Sequence, residues 1–205
     1  DEAPLADGTR LRDTLCGLMA SRKILRKLGV PFTYIENCRI DQRPFEAGVK
    51  NFRRVMSVVK GFRNLRIGQI GERIDFFWTT IVDESDLLQK YRIEGLPLDM
   101  VKVISATKAR ARRNATAYKR EGTALRKKVR VQGFKDLQPL YHVLALRDEM
   151  LALAERHGLS GFAIQSFMSI CEELGAMVEF AIGEVTEAGF PVACETDIHG
   201  AISSI

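Results

Sequence analysis

Residues 65–80 read LRIGQIGERIDFFWTT, and residues 83–99 read DESDLLQKYRIEGLPLD. The apolar residues of LRIGQIG predict a strand that runs directly into a glycine-bearing turn. The second stretch predicts a helix and then another strand around 93–98. A strand, a helix and a second strand with short connections form a βαβ unit, which requires a parallel sheet covered by helices.

The rest of the chain continues this alternation of helices and strands. Helical patterns occupy 11–29, 49–64, 105–131, 136–158 and 169–189, and apolar runs that predict strands occupy 31–36, 159–167 and 190–195. Gly122 is a weak point within the third helix, and Gly158 is the predicted end of the fourth. We therefore predict a doubly wound, Rossmann-like α/β fold: a mostly parallel sheet with helices on both faces, followed by the start of a further domain.

Composition limits the class of protein. Apolar residues make up 46% of the 205 residues. The apolar runs fall short of the roughly 18–20 residues that span a bilayer, so we expect no membrane partner. The polar N-terminal stretch DEAPLADGTR is unlike a secretory signal. Four widely spaced cysteines without a CxxC pair are typical of reduced thiols, which indicates a cytoplasmic protein.

A strongly basic segment lies at 102–135, where twelve lysines and arginines accompany one acid, Glu121. Phosphate neutralisation by such a segment is one route to nucleic-acid binding. Tyr118 is the single aromatic residue in the predicted helix at 105–131, however, so few side chains are available to stack on bases. A solvated helix face or a subunit contact is the favoured interpretation, and we expect no nucleic-acid partner.

Two polar side chains follow predicted strands, at the carboxyl ends where open α/β sheets commonly bind ligands. Arg73 closes the segment GQIGER at 68–73, which matches neither the dinucleotide-binding nor the P-loop glycine pattern. This segment is either a tight turn or a ligand-facing loop. Gln165 follows the strand GFAI, and its amide either is satisfied within the fold or hydrogen-bonds a polyol. The aromatic run at 76–78 favours packing beneath the loop over contact with a sugar ring.

The segment VACETDIHG at 192–200 places two carboxylates, Glu195 and Asp197, just beyond a predicted strand. Carboxylates in this position are suited to a hard divalent cation, which prefers oxygen ligands. The alternative is a structural role, in which Thr196 or Asp197 caps the next helix and His199 lies on the surface. Spacing alone does not choose between these interpretations.

Four blocks of the chain together resemble the L-fucose isomerase family, which is related to the L-arabinose isomerases. In chain order they are DTLCGLMASRKILRKLG at 13–29, LRIGQIGERIDFFWTT at 65–80, GFAIQSF at 161–167 and CETDIHGAISSI at 194–205. The resemblance implies that the intact protein is a metal-dependent aldose–ketose isomerase acting on a pentose or 6-deoxyhexose such as L-fucose or L-arabinose. It also implies a monosaccharide substrate, Mn²⁺ as the cofactor, with Mg²⁺ or Co²⁺ as alternatives, and a homo-oligomer, typically a hexamer.

The resemblance further implies a domain division and individual roles. Residues 1–40 correspond to the tail of an N-terminal α/β domain, 41–190 to a second α/β domain and 191–205 to the beginning of the catalytic C-terminal region. Glu195 corresponds to a metal ligand, and the other ligands, an Asp and a His, would lie beyond residue 205. Gln165 corresponds to a substrate-contacting residue, and Arg73 borders the sugar site.

Moving a proton between C1 and C2 of a sugar through an enediol requires a polarised carbonyl and an acid–base group. The hypothesis is that Glu195 binds the metal and takes part in proton transfer, whereas Asp197 and His199 support the turn. Because one carboxylate is a weak ligand set, we expect this chain alone to be inactive. A non-catalytic sugar-binding or regulatory α/β module is the alternative, because a fold does not dictate a function.

Overall fold

The computed structural model describes residues 3–9, 14–128 and 136–205. It divides into two units, Asp1–Gly61 and Phe62–Ile205. The sequence-based division begins the second domain at residue 41, and that assignment of domains stays a prediction. None of the helices in the described ranges is long and apolar enough to cross a membrane.

The first unit is helical. It contains α1 (Thr14–Lys27) and most of α2 (Arg43–Phe62), neither of which has a buried residue. The predicted helices at 11–29 and 49–64 are therefore confirmed where they overlap these elements, although residues 11–13 lie outside the described part. The strand predicted at 31–36 is wrong: these residues form no strand. A strand needs a hydrogen-bonded neighbour, and the described part of this unit offers none.

The second unit is built on a four-stranded sheet. In chain order its elements are β1 (Arg66–Ile70), α3 (Glu84–Tyr91), β2 (Glu94–Leu98), α4 (Met100–Arg113), α5 (Ala115–Lys128), α6 (Gln138–His157), β3 (Gly161–Ile164), α7 (Ser169–Leu174), α8 (Glu179–Glu187), β4 (Val192–Ala193) and α9 (Ile198–Ser203). The strand order is β2-β1-β3-β4 and every pair is parallel. The chain thus moves from β1 to one neighbour and then returns past β1 to the other side, as in doubly wound folds.

Helices cover both faces of this sheet. On one face, α4, α6, α7 and α8 pack on Ile70, Phe162 and Ile164. On the other face, α3 and α9 pack on Ile67 and Ala163. Odd and even positions of β1 and β3 therefore enter different cores, as the two-residue period of a strand requires. The predicted α/β class, with helices on both faces of a parallel sheet, is confirmed.

In the structure, each of two predicted long helices is divided into two shorter helices. The basic segment breaks at Asn114, the last residue before α5, and residues 129–135 lie outside the described part. Gly122 is not the break, because it lies inside α5 and allows close approach to α6: a Cβ there would be 3.2 Å from Leu140 Cδ2. The helix predicted at 169–189 ends first at Gly175, whose left-handed backbone (φ 74°) terminates α7.

Helix α5 is joined to α6 through polar groups as well as apolar ones. The Arg147 guanidinium donates to Glu121 on α5 and also pairs with the adjacent Asp148. Tyr118 is only 3% exposed, and its hydroxyl donates to Asp148 Oδ2 at 2.8 Å. Burial, with a further contribution from this hydrogen bond, raises the pKa of Tyr118 to about 12.

We expect alkaline conditions to weaken the fold partly through Tyr118. Because its pKa is raised in the folded state, the unfolded chain releases the phenolic proton first, at about pH 10. This contribution to stability is complete below pH 10 and is lost between about pH 10 and 12. The Tyr118→Phe variant lacks the titrating hydroxyl, so the difference in unfolding free energy between wild type and variant should narrow between about pH 10 and 12 in urea titrations. A difference that stays constant would contradict this.

Candidate functional site

A cavity of about 1110 Å³ opens at the carboxyl ends of β1, β2 and β3. Its walls are the loop after β1, the start of α4 and the segment from Gln165 into α7. The carboxyl ends of β1 and β3 flank the point where the winding direction of the sheet reverses, which is the usual ligand position in this fold. We call this space the switch-point cavity. Arg73 and Gln165 both line it, whereas Glu195 does not.

Gln165 is held against the glycine that ends β1. Its backbone N–H donates to Ile70 O at 2.9 Å, continuing the β1–β3 ladder. Gly71 has φ +84°, and a Cβ on it would lie 2.9 Å from Gln165 Oε1 and 2.7 Å from Met100 Cε. The absence of a side chain at position 71 therefore lets the Gln165 amide and Met100 both approach the backbone of Gly71 beside the cavity.

Gly71→Ala should disturb this wall of the cavity. The added methyl group meets Met100 and Gln165 and occupies a left-handed conformation, so we expect a loss of about 1–3 kcal/mol in the free energy of unfolding. Gly183→Ala is the matched control, because nothing lies within 4 Å of its Cβ position on α8. That change should stabilise the protein by roughly 0.5–1 kcal/mol. Urea titration of both variants measures the change in unfolding free energy and its sign. Equal changes in the two variants would contradict the close packing described at Gly71.

Arg73 closes its own loop. Its Nη1 donates to the backbone oxygens of Ile74 at 2.8 Å and Asp75 at 2.7 Å, with a longer bond to Phe77. Because Nη1 is used within the loop, these bonds favour the interpretation of the segment as a tight turn. The remaining guanidinium nitrogens have no partner among the residues that the structure describes, so they are available to a ligand. A sugar-binding role for Arg73 stays a prediction.

An ion pair across the cavity was not predicted. Lys108 Nζ on α4 lies 2.5 Å from Glu173 Oε2 on α7, and the lysine lowers the pKa of the Glu173 carboxyl. These residues are 65 positions apart and approach each other only because α4 and α7 cover the same face of the sheet. Together with Gln165 and Ser105 they give the cavity both donors and acceptors, which suits a polyhydroxylated ligand.

The aromatic run does not pack beneath the loop. Phe76 is 61% exposed and Trp78 is 76% exposed, so the packing expected for them is wrong. Phe77 is half-buried and meets Phe76 edge to face at 4.7 Å. The loop is instead closed by the Arg73 guanidinium, which leaves these two aromatic side chains at the surface.

Glu195 lies in a tight turn between β4 and α9. Both Glu195 (φ 60°) and Thr196 (φ 58°) have left-handed backbone conformations. The side chain of Glu195 makes no hydrogen bond or ion pair within the described residues, and the residue is half-buried. Asp197 Oδ1 accepts from Gly200 N at 2.8 Å and caps α9, while His199 is exposed. The predicted capping role of Asp197 and the predicted surface position of His199 are thus confirmed, and Glu195 is left as the free carboxylate of the turn.

The resemblance implies a divalent metal, which requires oxygen or nitrogen donors near Glu195. The chemistry fits, because a carboxylate without protein partners is a suitable ligand for Mn²⁺. Within residues 3–9, 14–128 and 136–205, no group of three or more His, Cys, Asp or Glu side chains is arranged to hold a metal ion. The described residues therefore offer one ligand at this position, not a complete site.

Comparison with known proteins finds two similarities. Residues 1–63 match the family model described as the N-terminal domain of fucose/sulfoquinovose isomerase. The sulfoquinovose isomerase of Alkalicoccus urumqiensis is 28% identical over 202 residues, which is 96% of this chain. Both comparisons agree that the chain is similar to the fucose isomerase-like family.

The chain spans less than half the length of the curated relative that it matches. It covers 43% of the length of the sulfoquinovose isomerase that it matches. The resemblance inferred from the four sequence blocks is confirmed at the level of the family. The roles of Glu195, Gln165 and Arg73 stay predictions.

Proposed function

We propose that the intact protein containing this chain is an aldose–ketose isomerase that acts on a monosaccharide through an enediol. The similarity of nearly the whole chain to a sulfoquinovose isomerase is the observation that carries the proposal. The structure adds a cavity with hydrogen-bond donors and acceptors in its walls at the ligand-binding edge of a doubly wound sheet, and a free carboxylate in the turn that leaves β4. The substrate panel is L-fucose, L-arabinose and sulfoquinovose. We also propose a homo-oligomer, as the family resemblance implies, and a cytoplasmic location, as the four widely spaced cysteines indicate.

The chain's own residues have distinct parts in this proposal. Gln165, fixed at the end of β3 against Gly71, is proposed to hydrogen-bond sugar hydroxyls, and Arg73 to border the sugar. Glu195 is proposed to serve as one ligand of Mn²⁺ and to move a proton at C1 or C2. The metal, when bound, would polarise the carbonyl and favour the enediolate.

Turnover of the sugar panel by the intact polypeptide tests the function. We expect aldose consumption and ketose formation that depend on Mn²⁺ and cease on chelation. A non-catalytic sugar-binding or regulatory module would bind one of the sugars without converting it. Binding without conversion under saturating Mn²⁺ would therefore replace the isomerase proposal with that alternative.

We expect the 205-residue chain by itself to hold Mn²⁺ weakly. At the turn after β4 its described residues supply one free carboxylate, and a single such ligand does not compensate for loss of the ion's hydration. Isothermal calorimetry should show no saturable Mn²⁺ binding at micromolar concentration. Tight binding by this chain would contradict the expectation and require further ligands within it.

A further inference from the structure

The turn that carries Glu195 has a conformation that its residues do not favour. Glu195 and Thr196 are consecutive left-handed residues with φ values of 60° and 58°. Thr196 is β-branched, so this backbone crowds its side chain, whereas glycine adopts it without strain. Such a conformation persists only when surrounding contacts hold it in place, and residues of this kind cluster at functional sites.

Thr196 supplies those contacts. It is only 2% exposed. Its backbone N–H donates to Ile164 O at the end of β3, and its Oγ1 donates to Glu72 O, both at 3.0 Å. The hydroxyl thus connects the β4–α9 turn with the loop after β1, although the two residues are 124 positions apart. Within the described residues, no other group donates to Glu72 O.

The two ends of this hydrogen bond belong to different parts of the proposed site. Glu72 and Arg73 line the switch-point cavity, and Glu195 immediately precedes Thr196. We propose that Thr196 is a positioning residue, whose hydroxyl fixes the backbone of Glu195 relative to the cavity loop. It acts through Glu195 and does not itself touch the substrate. This inference rests on the proposed isomerase function.

Thr196→Val in the intact protein is the direct test. Valine keeps the shape and the β-branch but removes the hydroxyl, which leaves Glu72 O without its donor. We expect kcat to fall about ten-fold or more with a smaller change in KM, and Mn²⁺ affinity measured by calorimetry to fall by a similar factor. Thr196→Ser keeps the hydroxyl and should restore both values to within about three-fold of wild type.

Two further variants separate positioning from general stability. Thr107→Val is the matched control, because Thr107 is also fully buried and its Oγ1 has no hydrogen-bond partner in the described structure. It should leave kcat and Mn²⁺ affinity unchanged. Thr196→Gly accepts the left-handed backbone without strain and lacks the hydroxyl, so it gives the same test should the valine variant fail to fold. It should show the same losses as Thr196→Val.

The outcomes distinguish this inference from the function on which it rests. An active wild type with a folded Thr196→Val variant of unchanged kcat and Mn²⁺ affinity would overturn the positioning role alone. Equal losses in Thr196→Val and Thr196→Ser would also overturn it, because the hydroxyl would then not be the cause. An intact wild-type protein with neither turnover nor Mn²⁺ binding would refute the proposed function, and this inference with it.

Discussion

Glu195→Gln in the intact protein is expected to abolish turnover while the fold is retained. The change removes the charge of a proposed metal ligand and the group proposed to move a proton. Loss of several kcal/mol of transition-state stabilisation corresponds to at least about a thousand-fold in kcat/KM, since about 1.4 kcal/mol is ten-fold. The backbone and the volume of the side chain are nearly unchanged. Because the carboxylate has no partner among the described residues, the free energy of unfolding should change by less than about 0.5 kcal/mol.

Steady-state kinetics on the converted sugar, with urea titration of the same variant, measures both parts of this expectation. Glu155→Gln is the matched control, because Glu155 is exposed on α6 and makes no ion pair in the described part of the chain. It should retain wild-type kcat/KM. Activity of Glu195→Gln within ten-fold of wild type would remove Glu195 from the chemistry. Loss of activity together with unfolding would instead assign it a structural role.

Phe162→Ala should cause the largest loss of stability. Phe162 lies in β3 with no exposed surface and is among the largest fully buried side chains. Its ring packs over Gly68 of β1, where a Cβ would be 2.9 Å from Phe162 Cδ1, and it belongs to the core formed with α4, α6 and α8. Removing the ring loses its transfer free energy and leaves a cavity, which costs about 3–5 kcal/mol.

The urea midpoint of the 205-residue chain measures this loss. Phe76→Ala serves as the control of equal chemistry at an exposed position, because Phe76 is 61% exposed and its main contact is the ring of Phe77. Its cost should stay below about 1.5 kcal/mol. A cost for Phe162→Ala as small as that of Phe76→Ala would show that the core on this face of the sheet is not packed as described.

The elements with strong local signals could be predicted. The βαβ unit followed from two apolar runs on either side of a helical pattern, and the end of α6 followed from Gly158, which has the left-handed backbone of a helix end. The positions of Arg73 and Gln165 beside one cavity could also be expected. Each follows a strand, and the carboxyl ends of parallel strands meet at one edge of the sheet.

Other features depended on packing between distant segments. Gly122 was expected to weaken a helix, yet it lies inside α5. The absence of a side chain there lets α6 pack closely against α5. The strand expected at 31–36 is absent, because an extended segment becomes a strand only beside another. Phe76 and Trp78 are exposed because the Arg73 guanidinium closes their loop. The bonds of Arg73 to this loop could not be predicted from the amino-acid composition.

For this protein, the sequence by itself determined the α/β class, the resemblance to the fucose isomerase-like family and the residue types of the proposed site, because local periodicity and turn residues specify elements and chemistry. Only the tertiary structure decided the strand order, the pairing of Lys108 with Glu173 and the left-handed turn at Glu195 and Thr196. Each of these depends on contacts between groups that are distant in the chain. Such contacts form when the sheet is assembled, and Thr196 reaches Glu72 for that reason.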